Sequence, residues 1–188
     1  MLFAAGRLQE AEAQYLEALA LNPAMEAQIN TDLAFLLILQ QRFGEALALI
    51  SEYAAGEARD QGLALAYHGL GRESEANSAF DRLVATPGAD AAFRTAEVHA
   101  FRGDVAESFK WLATAHTRVG TPEVHPRHFP LLIQMCWSPF LAPLHSDARW
   151  EQWLADVRAL KRIPVRSSAT SGLQARMRQV LKLENDSD

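Results

Sequence analysis

The sequence predicts an all-α protein built from antiparallel helical hairpins stacked in series. Three observations carry this expectation. Alanine and leucine dominate, no long β-branched run occurs, and prolines sit at junctions between periodic segments. Turn signals recur: Gly6-Arg7, Gln41-Arg42, Gly71-Arg72 and Gly103-Asp104 lie 35, 30 and 32 residues apart. Behind each turn, residues recur at spacings of four and then three, which places them on one helical face. These are Ala11, Tyr15 and Ala18; Ala46, Ile50 and Tyr53; Ala76, Phe80 and Leu83; and Ser108, Leu112 and Ala115. The first of each set is small, so two helix backbones can approach closely there. A single hairpin of this kind cannot bury its apolar surface alone, so neighbouring copies are required.

The elements follow in order. Residues 8–21 read as one helix, stopped by Asn22-Pro23 because proline cannot continue it. Residues 25–40 and 43–54 form the next hairpin, and 57–69 with 73–85 the third. Thr86-Pro87-Gly88 separates that pair from a fourth, 89–102 with 105–118. The longest apolar run, 33–39, is far shorter than the roughly 20 residues a membrane-spanning helix needs, and it suits a first helix buried on most sides. Beyond Gly120 the pattern changes. Pro122 and Pro126 break residues 121–128, while 129–137 suits one short helix. Asp147 is placed to cap a helix that carries Trp150, Trp153, Leu154 and Val157 on one face, sealing the open side of the last hairpin. From Ile163 the chain is serine-rich and polar, with a weak amphipathic stretch at 173–183. Three parts result: hairpin units over 1–120, a capping segment over 121–162 and a flexible tail over 163–188.

Composition bounds the function. The chain has 188 residues, 49% apolar and 22% charged, as expected for a soluble globular protein able to bury a sizeable core. A net charge of −5 gives no basic footprint for nucleic acid. Cys136 is the only cysteine, which excludes an internal disulfide and a cysteine metal cluster. Residues 1–5 lack a charged n-region and a long apolar core, so no signal peptide is expected, and a cytoplasmic location follows as an expectation.

The turn residues, the small-aromatic-apolar grammar and the spacing near 34 residues together resemble the tetratricopeptide repeat family over residues 6–120. The units after Gly6 and Gly71 match well; the second has Gln41 in place of the turn glycine, and the fourth has Ser108 where alanine is usual. The resemblance implies a right-handed superhelix. The stretch Pro139-Phe-Leu-Ala-Pro-Leu-His-Ser-Asp-Ala-Arg-Trp150, following Phe109-Lys-Trp-Leu-Ala-Thr-Ala115, looks like the C-terminal cap of bacterial multidomain regulators in which such repeats follow a cyclase, kinase or DNA-binding domain. It departs from their usual wording at Ala148 and Trp150, and no phosphate loop or kinase signature accompanies it.

Little in the chain points to catalysis. His125 and His128 are the only closely spaced histidines, and Glu123 is the one further ligand nearby, short of the three or four that a zinc site uses. His68 and His99 fall on predicted helices, where a lone histidine is more often a packed, hydrogen-bonded residue than a ligand. Cys136, Ser167 and Ser168 have no visible base partner. No enzyme activity, cofactor or metal is expected.

Stacked hairpins offer an extended surface for a protein or peptide partner. The family resemblance places the first helices along it. Matching residue by residue, it implies Gln28, Thr31, Asp32, Phe35 and Ile38 from the second unit, Gln61, Leu65 and His68 from the third, and Asp90, Phe93, Arg94 and Glu97 from the fourth. Phe35, Ile38 and Leu65 serve equally well as core, since a frame shift of one residue turns a helix position by about 100°. Polar Asp32, Gln61, Arg94 and Glu97 are expected in the groove or in solvent. The lysine and asparagine clamp that some relatives use for a chaperone's carboxylate is absent from these positions, which disfavours that ligand. The helix of 8–21 lacks a first-helix mate, because only five residues precede Gly6. That edge implies either further chain upstream or a covering partner, most simply a second copy. The main reading is a binding scaffold; the alternative is an accessory part of a larger signalling enzyme or regulator, and a metal enzyme resting on the histidines is the weakest.

Overall fold

The computed structural model describes residues 7–52, 55–119 and 138–160, and among these every regular element is helical. They are α1 (Leu8–Leu21), a 3-10 turn (Pro23–Met25), α2 (Glu26–Leu39), α3 (Phe43–Ser51), α4 (Glu57–Gly69), α5 (Glu73–Ala85), α6 (Ala89–Phe101), α7 (Val105–Val119), a 3-10 segment (Pro139–Leu144) and α8 (Arg149–Leu160). Helices α2 and α3, α4 and α5, and α6 and α7 pack pairwise, while α2, α4 and α6 also touch one another in sequence. The expected helices over residues 129–137 and 173–183, the end of the second hairpin at Tyr53 and Ala54, and both boundaries of the capping segment lie outside the described residues.

One turn geometry joins each pair. After α2, the Arg42 N–H donates to Leu37 O at 2.8 Å and Gln41 N–H to Ile38 O at 2.9 Å. After α4, Arg72 donates to Tyr67 O and Gly71 to His68 O, both at 2.9 Å. After α6, Asp104 donates to His99 O at 2.8 Å and Gly103 to Ala100 O at 3.0 Å. This paired pattern is the Schellman motif, and it needs a left-handed residue at its centre. Gly71 (φ 71°) and Gly103 (φ 81°) supply that conformation freely; Gln41 (φ 61°) adopts it with a side chain. The next residue opens the following helix. Arg42 and Arg72 there each form a forked ion pair with the glutamate three positions on, Glu45 and Glu75, and Arg7 does so with Glu10. The recurring Arg-x-x-Glu spacing therefore marks one local structure used three times.

Small residues set the helix separations. Ala46 and Ala76 are fully buried where α3 and α5 meet their neighbours, and Ser108 takes the same place in α7. The Ser108 hydroxyl donates to Ala96 O at 2.8 Å, so the departure from alanine is satisfied inside the core. Gly69 lies against the Phe43 ring, leaving no room for a Cβ. Helix α6 buries nine of its thirteen residues because α4, α5, α7 and the 3-10 segment all pack on it. In α1, by contrast, Ala11 is the one buried residue, and its Glu12 reaches across to Arg42 at 2.8 Å and Gln40 at 2.9 Å.

The closing helix sits where its aromatic stripe requires. Trp150, Trp153 and Val157 are buried with Ala92, Phe93, Ala96, Leu112 and Ala115 of the α6–α7 pair. The Asp147 carboxylate accepts the Arg149 backbone N–H at 2.9 Å, capping α8.

Candidate functional site

The site lies on the face that α2, α4 and α6 share. Residues one turn apart on α6 bring Arg94 and Glu97 to one side, and the chain closes over them with Ser138. Arg94 Nη1 donates to Gln61 Oε1 at 2.5 Å, and Gln61 Nε2 donates to Glu97 Oε2 at 2.6 Å. The Ser138 hydroxyl donates to the other carboxylate oxygen, Glu97 Oε1, and accepts the Phe140 N–H at 3.3 Å. Three elements separated in sequence thus meet in one polar chain. Gln61 is 1% exposed and Glu97 6%, so every bond here replaces water. Burial pushes the Glu97 carboxyl above the ordinary range, against the hydrogen bond from Ser138, the charge of Arg94 and the bond from Gln61.

An aromatic patch adjoins this chain. The Phe140 ring meets Phe35 edge-on at 5.9 Å and Phe101 at 6.2 Å. Phe101 meets Phe43 at 6.4 Å and His68 at 6.1 Å. Arg94 also lies over Phe35, 6.0 Å from the ring centre. Toward the start of α2, Asp32 is half-buried, which raises its carboxyl while Gln28 (3.4 Å) and the Arg94 charge oppose the rise. Beyond it lies a surface cleft of about 580 Å³, lined by Glu26, Gln28, Thr31, Glu52, Glu57 and Arg59 among others.

The residues expected to bind a partner fall in different places. Phe35, Gln61, Arg94 and Glu97 come together around the Ser138 segment, with Asp32 half-buried in reach of the Arg94 charge. Gln28 and Thr31 border the cleft, and Thr31 donates to its own helix at Ala27 O, 2.8 Å. His68, 3.0 Å from Glu73, stands at the other end of α4, and Asp90 is exposed at the start of α6. Leu65 and Ile38 are fully buried core. Phe93 is 2% exposed and packs with Trp150 and Trp153, because it sits about 100° round the helix from Arg94.

No family of known proteins, no curated protein and no solved structure matches the chain.

One expectation needs correction. Polarity predicts Gln61 and Glu97 in the groove or in solvent, yet both are enclosed, since α6 packs on α4 and Ser138 closes the remaining side. Sequence reasoning also missed Ser138 and Phe140 as site residues, although both stood in the capping segment. Among the described residues no three of histidine, cysteine, aspartate and glutamate gather as a metal would need, and no helix is long and apolar enough to cross a membrane. Glu123, His125, His128, Cys136, Ser167 and Ser168 lie outside the described residues.

Proposed function

We propose that this chain is a non-catalytic interaction scaffold of the tetratricopeptide type, its hairpins stacked as a right-handed superhelix, with the α2–α4–α6 face as a groove for a peptide or protein partner in the cytoplasm. One observation carries the reading. The face already accepts the start of the 3-10 segment, Ser138 and Phe140, through side-chain contacts of the kind a bound peptide makes: one hydrogen bond to Glu97 and one ring among Phe35 and Phe101. The shared turn after α2, α4 and α6 supports the repeat assignment. Asp32, Gln28 and Thr31 extend the groove beyond the segment, where the side chains are at least partly open to solvent.

The test begins with partners recovered by the purified chain and identified by mass spectrometry. Paired substitutions Gln28→Lys and Asp32→Lys should then weaken a recovered partner by about tenfold or more, the scale of an interface hot spot. An unchanged affinity with native helicity would move the interface elsewhere. A second reading, an accessory module of a larger signalling enzyme or regulator, draws on the way α8 and the 3-10 segment seal the α6–α7 hairpin as a terminal cap. A catalytic domain that co-purifies and changes its activity with this chain would favour it.

A further inference from the structure

The Ser138–Leu144 stretch is anchored in two separate places. Leu141 and Leu144 are fully buried with Trp150, Trp153 and Val157 beside α6 and α7. Phe140 belongs instead to the other cluster, with Phe35 and Phe101 against it, and is 6% exposed. Among the described residues the segment's backbone hydrogen bonds are local, such as Leu141 N–H to Ser138 O at 3.1 Å. Among the described residues only side chains tie Ser138 and Phe140 to the helices, so this end is held as a ligand is held.

The receiving groups are set by the helices themselves. Arg94 orients Gln61, and Gln61 fixes one oxygen of Glu97, leaving the other aimed at the segment. Phe101 is braced by Phe43 and His68. None of these supports involves the segment. A recess whose acceptor and walls are pre-oriented loses little on exchanging one occupant for another of the same chemistry. The Ser138 turn is short-range too: its hydroxyl accepts the Phe140 N–H two residues on, a local bond that a free peptide can also form.

We propose that the recess between α2, α4 and α6 is the aromatic subsite of the groove, filled in cis by Ser138 and Phe140, and that it takes in trans a peptide bearing a side-chain hydroxyl two residues before an aromatic ring. This rests on the scaffold reading and names its ligand. The chain's own segment is a tethered competitor, so partner affinity is lowered by the fraction of molecules in which the recess is filled. Leu141 and onward stay in place as the hinge and anchor, and only the leading three residues exchange.

The experiment uses the full chain and a fluorescein-labelled peptide Ser-Pro-Phe-Leu-Ala-Pro-Leu, read by anisotropy. Phe140→Ala vacates the aromatic part of the recess and should bind the peptide about tenfold or more tightly than the parent chain. Ser138→Ala keeps the aromatic anchor, so it preserves packing and should gain a few-fold. The same peptide with alanine for phenylalanine should lose about tenfold or more on every variant, as removal of a buried anchor does. Equal affinity of the parent and Ser138→Ala, or no discrimination between the two peptides, overturns the proposal whether or not Phe140→Ala folds. A recovered protein partner that Asp32→Lys weakens, with the peptide unbound, would leave the scaffold standing and sink only this inference.

Discussion

Gln41→Gly isolates the backbone cost of the turn between α2 and α3. Gln41 holds φ at 61°, the same left-handed region as Gly71 and Gly103 in the two later turns. Its side chain is exposed, so the substitution removes little packing. A side chain in this region costs about 1–2 kcal/mol. Glycine returns part of that by giving the unfolded chain more freedom, about 0.4–1 kcal/mol. The difference is a net stabilisation of about 0.5–1 kcal/mol, or about 1–4 °C in Tm for a chain of this size. The reverse change, Gly71→Ala, should lower Tm by a similar amount. A Cβ there would meet nothing within 4 Å, so any loss is conformational rather than steric. Differential scanning calorimetry on both variants decides the matter. Loss of stability in Gln41→Gly together with a neutral Gly71→Ala would refute the shared-turn argument.

Three further outcomes are expected. In Gly69→Ala a Cβ would lie within 2.6 Å of three Phe43 ring carbons, so the urea midpoint should fall by the equivalent of about 1–3 kcal/mol; no change would mean that α3 and α4 can separate there freely. Glu97 titrates higher folded than unfolded, so its contribution is greatest below the ordinary glutamate range and is lost as pH rises through the raised value. Glu97→Gln should therefore gain stability relative to the parent as pH rises, and parallel Tm curves would contradict that. His99, 3.3 Å from Asp104, is pushed below the ordinary histidine value of about 6.5 by burial. Its contribution is full above that value and is lost as pH falls through the lowered one, so His99→Asn should flatten the Tm decline between about pH 7 and 5; an unchanged slope would assign the decline to other groups.

The helices were legible because their signals are local. Leu8–Leu21, Glu57–Gly69 and Glu73–Ala85 match the bounds read from periodicity, proline and turn residues. The aromatic stripe of α8 likewise announced a buried face, and Trp150, Trp153 and Val157 occupy one. The site was legible only in part. Placing Arg94 and Glu97 on one side of α6 needs only the helical period, but their enclosure depends on Ser138, 41 residues after Glu97. No spacing rule reports such a contact. Polarity misled for the same reason: a glutamate reads as solvent-facing unless its hydrogen-bond donors are known, and one donor comes from α4 and the other from beyond α7. Phe93 failed differently, through the angular shift that one residue makes on a helix.

The uneven anchoring of α1 bears on how the molecule comes apart. Ala11 is its one buried residue, Leu8 and Tyr15 pack only partly buried against the core, and Glu12 adds a contact with Arg42 and Gln40. Charge pairs that remain partly wet weaken as ionic strength rises, whereas the alanine-lined centre of α6 does not feel salt in that way. The protein therefore has a soft end and a hard middle. Opening of α1 is the low-energy excursion, with amide exchange there running ahead of α4 and α6. Because the Arg94–Gln61–Glu97 chain is built on the hard middle, fraying at the soft end leaves the α2–α4–α6 face assembled.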